Sequence, residues 1–303
     1  MEKFFTKKKN AVLISIFAMI LWGSAIPLIK FTYQYLNIGP ADTGSKILVA
    51  GIRFFMAGIL SFIYYFIIEK KSKVKESSRR LNFKSIIILA LLQTFLQYFF
   101  YYIGLSNTQG SKASVIQASN AFFSVIIAVL FIDDEHLTKR KVLALVLGTI
   151  GILIVNINGL GEFTFSITGE GFVILATLFG ALANGFLRKY GKNYNSVTLT
   201  ASQFVVGSIP LILIGATRAK QVFNFDLTLF LYLLYGAFIS ATAFSLWSLV
   251  LKYNQASEFS IYKLFIPIFG TIFSIIFLKD PLTIRLVLGL IFVLAGSRIL
   301  NKA

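Results

Sequence analysis

Residues 11–31 read AVLISIFAMILWGSAIPLIKF, and nineteen residues pass before the first charge, at Lys30. Wound as a helix at about 1.5 Å per residue, such a run crosses a hydrocarbon core of about 30 Å. A secretory signal would be a shorter apolar stretch followed by a polar mature chain. Here stretches of the same character recur through the whole sequence, near 11–33, 47–68, 85–106, 113–132, 142–158, 171–189, 197–215, 229–251, 259–278 and 284–300. These make ten expected spans, the short fifth one stretching to Leu160 or tilting little. The longest linker, 69–84, leaves no room for a soluble domain.

Composition points the same way. The chain is 57% hydrophobic and 16% aromatic, with only 14% charged residues and a mean hydropathy of +0.80. A soluble chain carries roughly 25% charge, so the solvent for most of this surface is the lipid bilayer. The sequence reads as an all-α polytopic membrane protein. It has no cysteine, hence no disulfide framework and no thiolate metal site, and nothing implies a cofactor. The net charge of +17 raises a nucleic-acid reading. That reading needs the bases on one accessible face, whereas here they stand in short linkers, so no nucleic-acid partner is expected.

Placing the N-terminus in the cytoplasm puts 20 of the 29 Lys and Arg residues on the inner side, including Lys7, Lys8, Lys9, Lys70, Lys71, Arg79, Arg80, Lys139, Arg140 and Lys141. This is the positive-inside pattern, and it predicts a multi-pass protein of the plasma (inner) membrane with both termini cytoplasmic.

The chain also resembles itself. At an offset of 146, Leu105, Gln109, Ser111, Ser114, Phe123, Ile126, Phe131 and Asp134 fall on identical residues, among them Gln255, Ser257, Ser260 and Asp280. After one gap the offset becomes 145, and Leu137, Thr138, Arg140 and Gly151 match Leu282, Thr283, Arg285 and Gly296. Five spans per copy is an odd number, so the second copy enters the membrane from the opposite side. The expected architecture is two inverted five-helix repeats, 1–158 and 159–303, around a central cavity. Repeats of this kind recur in secondary transporters, where two near-equal conformations open one site to either side.

The Trp22-Gly23-Ser24 step, the loops FIDDEHLT and FLKDPLT with glycines behind them, and ten spans in two halves resemble the EamA-type transporters of the drug/metabolite transporter superfamily. The resemblance implies exporters of small metabolites without a nucleotide-driven motor, amino acids among the solutes and quaternary amines in other members. Glu135 matches the acidic residue of the family's FxxxE pattern; in the second half Asp280 followed by Pro281 stands there instead.

Polar groups inside spans face the bundle interior or one another, because hydrocarbon offers no partner. Gln93, Gln97 and Tyr101 recur every four residues, on one helix face. Ser114, Gln117 and Asn120 share another. Trp22, Ser24 and the Pro27 interruption come from the first span, where loss of the residue 27 amide, with Gly23 supplying the slack, predicts a break that lines the interior or acts as a hinge. Asn184, Gln203, Ser240, Thr242, Ser245, Trp247 and Tyr262 form a polar-aromatic set in the second half. Each has a structural alternative: amide glue between helices, a kink used for packing, or an interfacial aromatic belt.

Arg53 and Lys263 are the cations deepest in apolar runs. Either snorkels to an interface or meets the carboxylate of a substrate; near Lys263 the sequence offers only Glu258 as an acidic partner. Most of the 12 acidic residues stand in loops, and only Glu170 and Glu258 begin spans, so a deep carboxylate relay for protons is missing and proton coupling stays open.

These features favour a secondary transporter of small amphipathic metabolites, amino acids foremost; the alternative is a carrier of quaternary amines such as choline, which want an aromatic box or a carboxylate and for which aromatics are plentiful, or another metabolite or drug exporter. One histidine and no cysteine leave little for a membrane enzyme to work with. No repeated charged ring or carbonyl loop suggests a channel.

Overall fold

A computed structural model of the chain describes residues 2–69, 82–131, 136–157, 164–190, 194–221, 223–254 and 259–300. After a helical turn at Glu2–Phe5, α1 runs Lys8–Tyr35, α2 Thr43–Tyr64, α3 Phe83–Ser106 and α4 Gly110–Phe131. Then follow α5, Lys139–Val155; α6, Phe172–Tyr190; α7, Ser196–Arg218; α8, Leu227–Tyr253; α9, Phe265–Leu278; and α10, Ile284–Leu300. Several helices begin where a side chain takes an orphan amide. Asp42 accepts from the Ser45 N–H, Asn195 from those of Val197 and Thr198, and Asp226 from that of Leu229.

The fold is an all-α polytopic membrane protein. Among the described residues seven helices, α1 to α4 and α6 to α8, are long and apolar enough to cross a membrane. The other three are shorter: α5 and α10 have 17 residues each, and Tyr262–Leu278 is a shorter apolar stretch. Such helices stand at the lower limit of about 17 residues for a span. The near-continuous apolar run 85–132 divides at residues 107–109, and the stretch up to Leu160 lies outside the described residues.

Glycines set the closest packing. On α2, Gly44 lies against Arg218, Gly51 against Ile212 and Gly58 against Val205, while Gly215 of α7 lies against Leu48. Rising numbers on one helix meet falling numbers on the other, so α2 and α7 run antiparallel. The same register appears between α5 and α10, where Gly151 meets Gly289 and Ala144 meets Gly296, and between α4 and α9, where Gly110 meets Ser274 and Ser114 meets Gly270. Around these seams stand two groups of three helices: α3, α4 and α6, and α1, α8 and α9.

One end of the bundle gathers the turns after α1, α3, α7 and α9. There Gln221 bonds to Asn37, the Lys220 N–H to Asp42, Lys30 to Thr108, and the Ser111 N–H to Asp280. We call this the distal end. At the other end Phe5 meets Asn254.

The first span corrects an expectation. It was expected to break near Pro27, yet α1 continues as one helix with Pro27 buried inside it. Gly23 supplies close approach rather than slack: a Cβ there would stand 2.7 Å from Phe269 and 2.9 Å from the backbone nitrogen of Gly270. The irregularities fall elsewhere. In α4 the Ala118 and Ser119 amides bond three residues back, to Val115 and Ile116, at 3.2 and 2.9 Å. At the matching place 146 residues on, a 3₁₀ turn, Ser260–Leu264, hands over to α9.

Candidate functional site

A chain of aromatic rings runs through the interior. Tyr102 and Tyr98 of α3 lead to Phe54 of α2, whose ring centroid is 3.9 Å from that of Tyr98. Phe54 leads to Phe204 of α7 at 5.2 Å, Phe204 to Phe244 of α8 at 5.4 Å, and Phe244 to Trp22 of α1 at 5.1 Å. Trp22 meets Trp247 edge-on at 6.4 Å. The rings pack edge-to-face or tilted, the arrangements the ring quadrupole favours.

A cation stands at each end of this chain. Arg53 is 5% exposed, so the snorkelling alternative is corrected: its guanidinium stays inside. Nη1 donates to the Tyr102 hydroxyl at 2.8 Å and Nη2 to the Ser240 hydroxyl at 3.1 Å, while its carbon lies 5.4 Å from the Phe54 ring centroid. Nε is buried without a partner. Gly236 lets α8 reach this group, since a Cβ there would stand 2.8 Å from Arg53 Cδ and Nε. Among the described residues no carboxylate pairs with Arg53. That is an unusual state for a buried charge, which normally needs a countercharge.

At the other end the Lys263 ammonium lies 5.3 Å from the Trp247 ring centroid. Its side chain is exposed, and it makes no hydrogen bond among the described residues. Glu258, the acidic neighbour in sequence, lies outside them. Tyr262 beside it stacks on Phe265 at 6.4 Å. Trp247 is buried and Trp22 half-buried, both turned into the bundle, so the interfacial-belt alternative does not apply to them.

The remaining expected residues separate into pairs and clusters. Gln203 Nε2 donates to Gln93 Oε1 at 2.8 Å, joining α7 to α3. Asn184 donates to Asn120 at 3.0 Å, and Asn120 to the Thr177 carbonyl at 3.1 Å. Gln97 Oε1, buried without a partner, faces the same spot across Gly180. The Tyr101 hydroxyl approaches Gln117 Oε1 at 3.5 Å. Ser24 is set apart: it bonds the Leu21 carbonyl at 2.9 Å and the Tyr235 hydroxyl at 3.2 Å.

Sequence reasoning missed Tyr98, Tyr102, Tyr33, Phe204 and Phe244. Tyr98 and Tyr102 are four apart, a spacing the sequence displays, but they lie one residue off the Gln93, Gln97, Tyr101 stripe. Tyr33 donates to the Tyr102 carbonyl at 2.9 Å, and nothing in the sequence couples the two.

The EamA-like transporter family profile matches the chain twice, over residues 9–157 and 167–302. An uncharacterized transporter of Archaeoglobus fulgidus is 26% identical over 93% of this chain and 95% of its own length. The uncharacterized transporter YvbV of Bacillus subtilis is 26% identical over 97% of this chain and 92% of its own. A crystal structure shares the fold with a TM-score of 0.68 at 14% identity, covering 97% of this chain and 96% of that one.

Proposed function

Because the chain belongs to the EamA-like transporter family, we propose that it is a secondary transporter exporting small amphipathic metabolites, amino acids foremost, by alternating access. The observation that carries the substrate class is Arg53: a buried guanidinium among aromatic rings, hydrogen-bonded to neutral hydroxyls and left with a free Nε. A carboxylate is the natural partner for such a fork, and an apolar or aromatic side chain suits the ring-lined route beside it. Lys263 is the second cation on that route, and Trp22, Tyr101, Gln117, Trp247 and Tyr262 are its polar-aromatic walls.

The architecture proposed is ten spans in two inverted repeats, 1–158 and 159–303. Three supports stand behind it. The family profile matches once in each half. Corresponding helices α2 and α7, α4 and α9, and α5 and α10 pack antiparallel, as a two-fold axis in the membrane plane requires. The irregularities at Ala118–Ser119 and at the start of α9 lie at equivalent positions. The charge distribution favours the plasma membrane with cytoplasmic termini.

The alternative is a quaternary-amine carrier. It would need an aromatic face free to receive a cation, and the protein's own Lys263 already lies over Trp247. The deciding experiment is counterflow in proteoliposomes with labelled amino acids, choline-like amines and nucleosides, with and without a pH gradient. Saturable exchange of a carboxylate-bearing zwitterion supports the reading, and gradient dependence identifies proton coupling. Exchange of a quaternary amine alone replaces it.

A further inference from the structure

Arg53 sits on α2, but its two neutral partners belong to different helix groups: Tyr102 to the group of α3, α4 and α6, and Ser240 to the group of α1, α8 and α9. Tyr33 of α1 holds the carbonyl of the same Tyr102. From here to the distal end further bonds cross between the groups. Ser114 of α4 donates to the Pro267 carbonyl of α9 at 3.0 Å, Lys30 of α1 to the Thr108 carbonyl at 2.6 Å, and the Ser111 amide of α4 to Asp280 after α9 at 2.8 Å. Above them opens a polar bowl of about 630 Å³ lined by Lys30, Lys112, Glu170 and Asp280. The cross-group bonds form its floor.

We propose that Arg53 is the latch of this floor, holding the two groups together through Tyr102 and Ser240, and that the substrate's carboxylate releases it by taking the guanidinium from them. This rests on the reading that Arg53 meets substrate. The chemistry favours the exchange: a carboxylate takes a guanidinium through two parallel bonds and neutralises its charge, which a neutral hydroxyl does not, and the unpartnered Nε offers it a first donor. Once both hydroxyls are released, Arg53 no longer joins α3 to α8, and the substrate stands in its place. Binding and opening become one event, and an uncharged solute of the same shape does not open the floor.

The chain has no cysteine, so an introduced one is a unique reporter. Ser111 is buried beneath the bowl and its hydroxyl has no partner, so Ser111→Cys removes no side-chain bond. The labelling rate of this cysteine by a maleimide is measured in nanodiscs, where both faces are accessible. Slow labelling is expected in the otherwise unchanged protein. Tyr102→Phe or Ser240→Ala speeds it roughly tenfold or more, the equivalent of losing one hydrogen bond to a charged group. An amino acid found to be transported speeds labelling with Arg53 present, while Arg53→Gln labels fast with or without it. Labelling in all three variants no faster than in the otherwise unchanged protein overturns the latch and leaves the transport reading standing. Fast labelling in the variants with no response to any carboxylate overturns release by substrate and the substrate class together, and keeps the mechanical latch. A second measurement does not depend on these variants folding. The Gly110→Cys, Ser274→Cys pair lies within disulfide reach, a Cβ at Gly110 being 2.7 Å from Ser274 Oγ. Closing it is expected to stop counterflow until reductant is added, and undiminished counterflow with the bond closed overturns the proposal.

Discussion

Gln117 and Lys263 stand 146 residues apart, the offset at which the sequence matches itself, and so do the rings they touch, Tyr101 and Trp247. One half therefore offers an amide beside a phenol where the other offers an ammonium beside an indole. If the ammonium meets the substrate's carboxylate, Lys263→Gln raises the KM for carboxylate substrates roughly 10- to 100-fold, the range for a charged hydrogen bond. Adding Gln117→Lys to that variant restores part of the loss, because the cation returns to the equivalent place. Counterflow titrations of the single and double variants decide it; an unchanged KM in Lys263→Gln removes the assignment.

The α2 and α7 seam makes a prediction about stability. A Cβ at Gly51 would lie 2.7 Å from both the backbone nitrogen and Cγ1 of Ile212, so the two helices must part. Gly51→Ala is expected to destabilise by about 1–3 kcal/mol, the cost of overpacking a tight contact. Gly39 has nothing within 4 Å of where its Cβ would stand, and Gly39→Ala serves as the neutral comparison. Thermal unfolding in detergent reads both.

Asp42 gives a pH dependence with a definite sign. Burial works to raise its pKa, but the hydroxyl and amide of Ser45 and the amide of Lys220 outweigh it and hold the carboxyl below its usual value. A lowered folded pKa stabilises fully above the unfolded value of about 3.9, and that stabilisation is lost as pH falls through the folded one. Asp42→Ala is expected to cost ~0.5–2 kcal/mol at neutral pH, as for the loss of a helix cap. The gap to the unaltered protein should close at the acid end of a pH series of unfolding curves. A gap that stays constant to the lowest pH contradicts the charged cap.

Gln93 and Gln203 test whether polar residues inside spans act as glue. Gln93→Leu leaves the Gln203 amide without its acceptor and is expected to cost about 1–3 kcal/mol. Gln93→Leu with Gln203→Leu should recover much of it, because both partners leave together. A double variant as unstable as the sum of the singles argues against the pair.

Apolar runs showed where most of the helices lie, since a span needs a long uncharged segment and little else does. The split at 107–109 and the shortness of α5 and α10 depend on packing, and hydropathy alone left their limits open. At the candidate site, Arg53 and Lys263 stood out because charges are rare in apolar runs. What each touches did not: Tyr102 and Ser240 are 138 residues apart in sequence, and only the fold brings both to one guanidinium. Gly23 was misread because a missing side chain serves bending and close approach alike, and only the neighbour, Phe269, distinguishes them.

The glycines at 44, 51 and 58 recur every seven residues, two turns of helix, and all rest on the other half of the chain. Neither half can cover its own bare backbone there. The two halves, made as separate polypeptides in one membrane, would find each other through these stripes, and a single residue inserted into α2 below Gly44 would throw the remaining two out of step at once. The seam thus acts as a keyed joint, fixing which half mates with which and at what height.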